Sequence, residues 1–188
     1  MNRSVFVRYV FPFFQWYILM IIVALGIDYA LHVYKLVNVG RYLGYFGTGI
    51  ILVSFVYSLR KRKIISSGNP KSLLLAHEYM AWIGSVLILV HAGIHFNALL
   101  PWLAIVALLV NVASGLVGKF LLKKSVQTLK EKQEYFTKSG LSKEEVENKL
   151  YYDSIMVDAM KKWRSVHLPF TAVLGILSAL HIITVLIF

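Results

Sequence analysis

Two stretches, HEYMAWIGSVLILVHAGIHFN (residues 77–97) and WRSVHLPFTAVLGILSALH (residues 163–181), decide how this chain is read. In each, a pair of histidines brackets an apolar run: His77 and His91 in the first, His167 and His181 in the second. Both intervals are 14 residues (77 to 91, 167 to 181). Fourteen steps of an α-helix turn ~1400°, about 40° short of four full turns, and rise ~21 Å. Each pair therefore shares one helix face, with its members near opposite ends of an apolar rod.

The sequence around these stretches is equally apolar. Of 188 residues, 58% are hydrophobic and only 15% charged, the composition of an integral membrane protein. Five apolar runs stand out: Val10–Ile27, Tyr42–Leu59, Tyr79–Leu100, Trp102–Gly118 and Leu168–Phe188. At ~1.5 Å per residue each can cross a hydrocarbon core of ~30 Å, the shortest only marginally. Lipid offers backbone amides no partner, so the runs must be helices, and they lack the alternation of a barrel. The first run follows Arg3 and Arg8 and ends near Ala24-Leu25-Gly26, as a signal peptide can, but it is long for one and reads as the first helix. The expected architecture is all-α: a five-helix transmembrane bundle forming one domain over residues 1–188. Cysteine is absent, which excludes disulfides, thiolate zinc sites, iron–sulfur clusters and covalently attached haem.

Lys and Arg number 20 against 9 acidic residues. In a soluble chain that excess would suggest nucleic acid, but the placement argues otherwise. Five crossings put the N-terminus, residues 60–78 and residues 119–166 on one side of the membrane. Residues 28–41, the turn 96–101 and the C-terminus fall on the other. All the Lys and Arg except Lys35 and Arg41 belong to the first side, which the positive-inside rule assigns to the cytoplasm. The expected location is a bacterial inner membrane with a cytoplasmic N-terminus and an outer C-terminus. Arg60-Lys61-Arg62-Lys63 reads as an anchor against anionic lipid, not as a nucleic-acid patch. The polar segment 119–166 reads as a cytoplasmic helical hairpin between the fourth and fifth membrane helices. Its first helix stops at Ser139-Gly140, and Ser142 with Glu145 forms a capping box for the second.

The third and fifth runs share a direction, so His77 is expected level with His167 near the cytoplasmic face and His91 level with His181 near the outer face. Imidazole inside a membrane is costly unless partnered. Two opposed neutral imidazoles suit the axial positions of a haem iron, and an apolar porphyrin suits the space between helices. Gly84 and Gly175, near the middle of each interval, leave room for a macrocycle or a close helix. Zinc fits less well, since two histidines per level are too few for a closed tetrahedral site. Arg164, Lys162 and Lys71 are candidates to neutralise propionates at the inner level, Arg164 foremost. His95, one turn beyond His91, competes as the outer ligand. With Asn97 it could instead bond a propionate, carry protons, face a quinone or simply close the turn. His32, with Asp28, Lys35 and Arg41, is a second polar group at the outer end.

The two quoted stretches resemble the helices of transmembrane di-haem cytochromes b, most closely the ferric-reductase and NADPH-oxidase-like membrane domain and bacterial cytochrome b/b6-type electron-transfer subunits. The resemblance covers residues 71–188, and helices 1 and 2 by topology alone. It implies two non-covalent b-type haems held by His77, His91, His167 and His181. It also implies a non-autonomous subunit of a membrane oxidoreductase that exchanges electrons with a flavoprotein, iron–sulfur protein or multihaem cytochrome, or with quinone. The sequence departs from the reductases at Phe188, after which no flavin or nicotinamide domain follows, and no dinucleotide fingerprint occurs. Nicotinamide oxidation is therefore expected of a partner. The rival is a haem-free protein, either a proton or metal transporter with intramembrane histidines or an assembly or anchor subunit.

Overall fold

The computed structural model describes residues 5–94 and 98–187, leaving aside the side chains of residues 5–10, 94 and 123. Its elements are α1 (Val5–Val33), α2 (Val37–Ser54), α3 (Val56–Lys61), α4 (Pro70–Ile94), α5 (Leu99–Leu116), a π-helical segment (Val117–Leu122), α6 (Lys123–Lys138) and α7 (Lys143–Ile187). No strand occurs among the described residues. Five stretches are long and apolar enough to cross a membrane: one each in α1 and α4, the α2–α3 stretch, the stretch beginning with α5, and α7. Large apolar side chains are exposed along all of them, Phe46, Leu52, Leu103, Ile176 and Leu186 among them. An apolar surface of that extent requires a non-aqueous neighbour, and the chain is an integral membrane protein by this measure.

The helices outrun the apolar stretches that revealed them, because a polar residue on the water side ends a membrane span without ending a helix. α1 continues through Asp28 and His32, so the expected outer loop 28–41 shrinks to the turn between Val33 and Val37, with Lys35 at φ 57°. α4 begins at Pro70, nine residues before the expected Tyr79. Pro is suited to the first turn, where its missing N–H has no partner to lose. The run 42–59 is interrupted at Phe55, whose N–H goes to Leu52 O at 3.1 Å.

The largest departure concerns the boundary expected between a hairpin ending at 166 and a span starting at 168. α6 and the first half of α7 do lie antiparallel, tied by Lys132 Nζ to Asp153 Oδ2 at 2.6 Å and by Lys149 over the Phe136 ring. Ser142 and Glu145 cap the turn reciprocally, at 2.8 and 3.3 Å. But α7 then runs through Arg164, His167 and Pro169 as a single helix of 45 residues. Pro169 removes one amide from its ladder without ending it, as membrane helices tolerate.

The helices associate as two pairs. α2 packs along α4 and α5 along α7, while α1 touches α4, α5 and the π-helical segment. Met20 and Ala24 of α1 with Val86 and Val90 of α4 form one buried cluster. Val117, Leu121 and Leu122 with Met160 of α7 form another. Among the described residues, no Cα of α7 comes within 8 Å of one in α2 or α4. The backbones of the two histidine-bearing helices thus stay apart.

Candidate functional site

Between α4 and α7 the His91 and His181 rings lie with centroids 6.4 Å apart and planes inclined by 50°. At the other level, His77 and His167 are close enough to interact electrostatically. All four histidines are half-buried. α4 and α7 therefore run in the same direction, with two histidine levels between them.

Each of three imidazoles is held from the neighbouring helix of its own pair. His77 Nδ1 donates to Ser54 O at 3.1 Å, with Ser54 Oγ at 3.2 Å. His91 Nδ1 donates to Gly40 O at 3.0 Å. His167 Nδ1 donates to Asn111 O at 3.1 Å, with Ser114 Oγ at 2.8 Å. A carbonyl can only accept, so Nδ1 carries the proton in each neutral ring and Nε2 carries the lone pair. That arrangement is how metal-ligating histidines are oriented by their surroundings. The interval recurs on α2: Ser54 and Gly40, which serve His77 and His91, are themselves 14 residues apart (40 to 54).

Of the two roles open to Gly84, room for a macrocycle or for a close helix, the packing supports the second: a Cβ there would meet Ile51 Cγ1 at 2.7 Å and Gly47 O at 3.0 Å, so this residue lets α2 approach α4. Gly175 has nothing within 4 Å of its Cβ position. Gly44, which sequence reasoning passed over, forms a notch for His91: a Cβ there would lie 2.7 Å from Cγ of the ring. The spacing Gly40-x3-Gly44-x2-Gly47 was the available signal, a small-residue face typical of closely packed membrane helices.

Around His77 and His167, Lys61 and Arg164 both lie within electrostatic reach of His167. Arg164 is exposed, with its stem beside Gly118 of the π-helical segment, and borders an open recess shared with Leu122, Lys161 and Ser165. Lys71 and Lys162 are exposed. Lys61, absent from the sequence-derived candidates, was hidden within the Arg60–Lys63 run. Lys119 reaches Glu78 at 2.9 Å, next to His77. Tyr57 stacks on His77 with centroids 5.5 Å apart. At the His91 end of α4, the Asp28 carboxylate lies against Gly93, and His32 Nδ1 contacts Asp28 O at 2.8 Å. His95 and Asn97 lie outside the described residues.

Two imidazoles bound to one metal from opposite sides, with metal–nitrogen bonds of about 2 Å, have ring centres roughly 6 Å apart. The His91–His181 separation of 6.4 Å matches that distance. Among the described residues no three His, Asp or Glu side chains converge as a metal-holding group. What the described residues bring together is two imidazoles per level between apolar helices, a donor number compatible with a flat group ligated on both faces. No protein-family model, curated protein or solved structure matches the chain.

Proposed function

We propose that the chain is a membrane electron-transfer subunit holding two b-type haems one above the other, the inner by His77 and His167 and the outer by His91 and His181. The observation that carries this reading is the 6.4 Å approach of His91 and His181 across helices whose backbones stay apart. When bound, the two irons supply one-electron couples at two depths of the bilayer.

The chain's own residues do the rest. Ser54, Gly40 and Asn111 fix three imidazoles through Nδ1 and keep Nε2 unprotonated. The apolar helices exclude water from both levels, and Arg164 with Lys61 supplies positive charge where inner propionates would emerge. Histidines holding each haem from both sides would leave no site for oxygen on the iron, which favours transfer to a partner over chemistry at the metal. The excess of Lys and Arg on the side of the α6–α7 hairpin supports a cytoplasmic position for that hairpin and the N-terminus. A flavoprotein, iron–sulfur protein, multihaem cytochrome or quinone would be the exchange partner, and a bacterial inner membrane the setting.

The test is a reduced-minus-oxidised visible spectrum of the detergent-purified chain, with pyridine haemochrome quantification. About two b-type haems per chain are expected. His91→Ala and His181→Ala should each remove one haem and leave the other. A folded, colourless protein would sink the reading and favour a haem-free transporter or anchor.

A further inference from the structure

The two inner histidines, His77 and His167, share one chemical feature that the fold makes specific. Each inner imidazole meets a serine hydroxyl as well as a carbonyl. Ser54, on α2, is 4% exposed and Ser114, on α5, is 0% exposed. Neither hydroxyl has its proton to spare: Ser54 Oγ donates to Ile51 O at 2.6 Å and Ser114 Oγ to Asn111 O at 2.7 Å. Such bonding to the preceding turn is the usual resting state of a helical serine. The atom that each serine turns to its histidine is therefore a lone pair, at 3.2 Å from His77 Nδ1 and 2.8 Å from His167 Nδ1. Each Nδ1–H is shared between two acceptors, and rotating either ring would break both contacts.

The same device occurs on two helix pairs whose local sequences differ, Ile51-Leu-Val-Ser54 and Asn111-Val-Ala-Ser114. In both, the serine stands on the helix antiparallel to the histidine helix. On α5 the carbonyl that binds Ser114 also binds His167, closing a three-membered arrangement of Asn111 O, Ser114 Oγ and His167 Nδ1. Fourteen residues before the serines stand Gly40 and Leu100, which carry no hydroxyl. A change at Ser54 or Ser114 is thus a change at the inner level.

Resting on the di-haem reading, we propose that Ser54 and Ser114 are positioning residues that strengthen the inner histidines as ligands and lower the potential of the inner haem. An acceptor on Nδ1–H increases electron density at Nε2, and a more basic ligand favours ferric over ferrous iron. Loss of such a partner typically costs 10–100-fold in metal affinity. Where the loss falls mainly on the ferric form, a tenfold change raises a one-electron potential by about 59 mV.

The experiment is a spectroelectrochemical titration of the full chain in detergent, with low-temperature EPR of the oxidised haems, for Ser54→Ala, Ser114→Ala, Ser54→Thr and Ser114→Thr. Expected for each alanine variant are one potential moved upward, a changed ferric signal for that haem, and the other haem unmoved. Each threonine variant, which restores a hydroxyl, should return the potential toward the wild-type value. Selective loss of the inner haem from an alanine variant, repaired by threonine, also supports the assignment. Two retained haems with unmoved potentials overturn it and leave the electron-transfer reading standing. So does loss of haem or fold that threonine fails to repair. A wild-type chain that folds without haem overturns both.

Discussion

Gly44→Ala tests whether α2 holds the outer histidine in place. The added methyl would stand 2.7 Å from His91 Cγ, 2.8 Å from Cδ2 and 2.9 Å from Nδ1, against 3.4 Å for an ordinary contact. The ring must therefore move by about 0.7 Å, the difference between 3.4 and 2.7 Å, or α2 must withdraw from α4. Overpacking of this kind costs about 1–3 kcal/mol. Displacing His91 Nδ1 from Gly40 O, now at 3.0 Å, adds about 1 kcal/mol. Replacing a helical glycine by alanine returns roughly 0.5–1 kcal/mol. The net expectation is a loss of about 1–3 kcal/mol. Gly49→Ala is the matched control, because nothing lies within 4 Å of its Cβ position on the same helix; it should be neutral or stabilising by up to roughly 1 kcal/mol. Unfolding in detergent micelles, followed by circular dichroism, gives the stability of both. The visible spectrum then reports whether the haem assigned to His91 and His181 shifts or is lost in Gly44→Ala alone. Equal stability and equal spectra for the two variants would refute the notch.

Thr171→Val removes the hydroxyl that lies 2.9 Å from Asn111 Oδ1 and 2.7 Å from His167 O; a loss of about 0.6 kcal/mol is expected in the same unfolding assay, the average for a bond between membrane helices. Lys119→Ala should cost no more than about 1 kcal/mol, since its partner Glu78 is itself partly solvated. The swapped pair Lys119→Glu with Glu78→Lys should recover most of that loss. Ser142→Ala removes one half of the capping box, and about 1 kcal/mol of local stability with it. Amide hydrogen exchange should accelerate in the first turns of α7 while the apolar part of the helix is unchanged. Acceleration spread evenly over α7 would show that the hairpin does not fray from its tip.

Which features could be read from the chain follows from what each depends on. The lengths of the apolar runs and the equal histidine intervals are properties of single helices, so they are visible without knowing which helix lies beside which. Gly44, Ser54 and Ser114 take their meaning from a neighbour in another helix. A glycine within an apolar run, or a serine three residues after a free-looking carbonyl, carries no mark of the imidazole it will face. Gly84 left two readings open for the same reason: it shares a face with His77 and His91, and only the packing shows that α2 occupies that face at its depth. The boundary at residue 166 misled for another reason. Hydropathy records where the solvent changes, and the helix ladder of α7 is indifferent to that change.

The continuity of α7 has a mechanical consequence. From Lys143 to His167 is 24 residues, a lever of about 36 Å, and it is rooted in the apolar half of the same rod. Its most compliant turn precedes Pro169, where the carbonyl of Ser165 receives no amide. His167 lies inside that turn, whereas His181 lies more than three turns beyond it. Motion of the polar arm that its packing against α6 and the π-helical segment does not absorb therefore reaches His167 before His181.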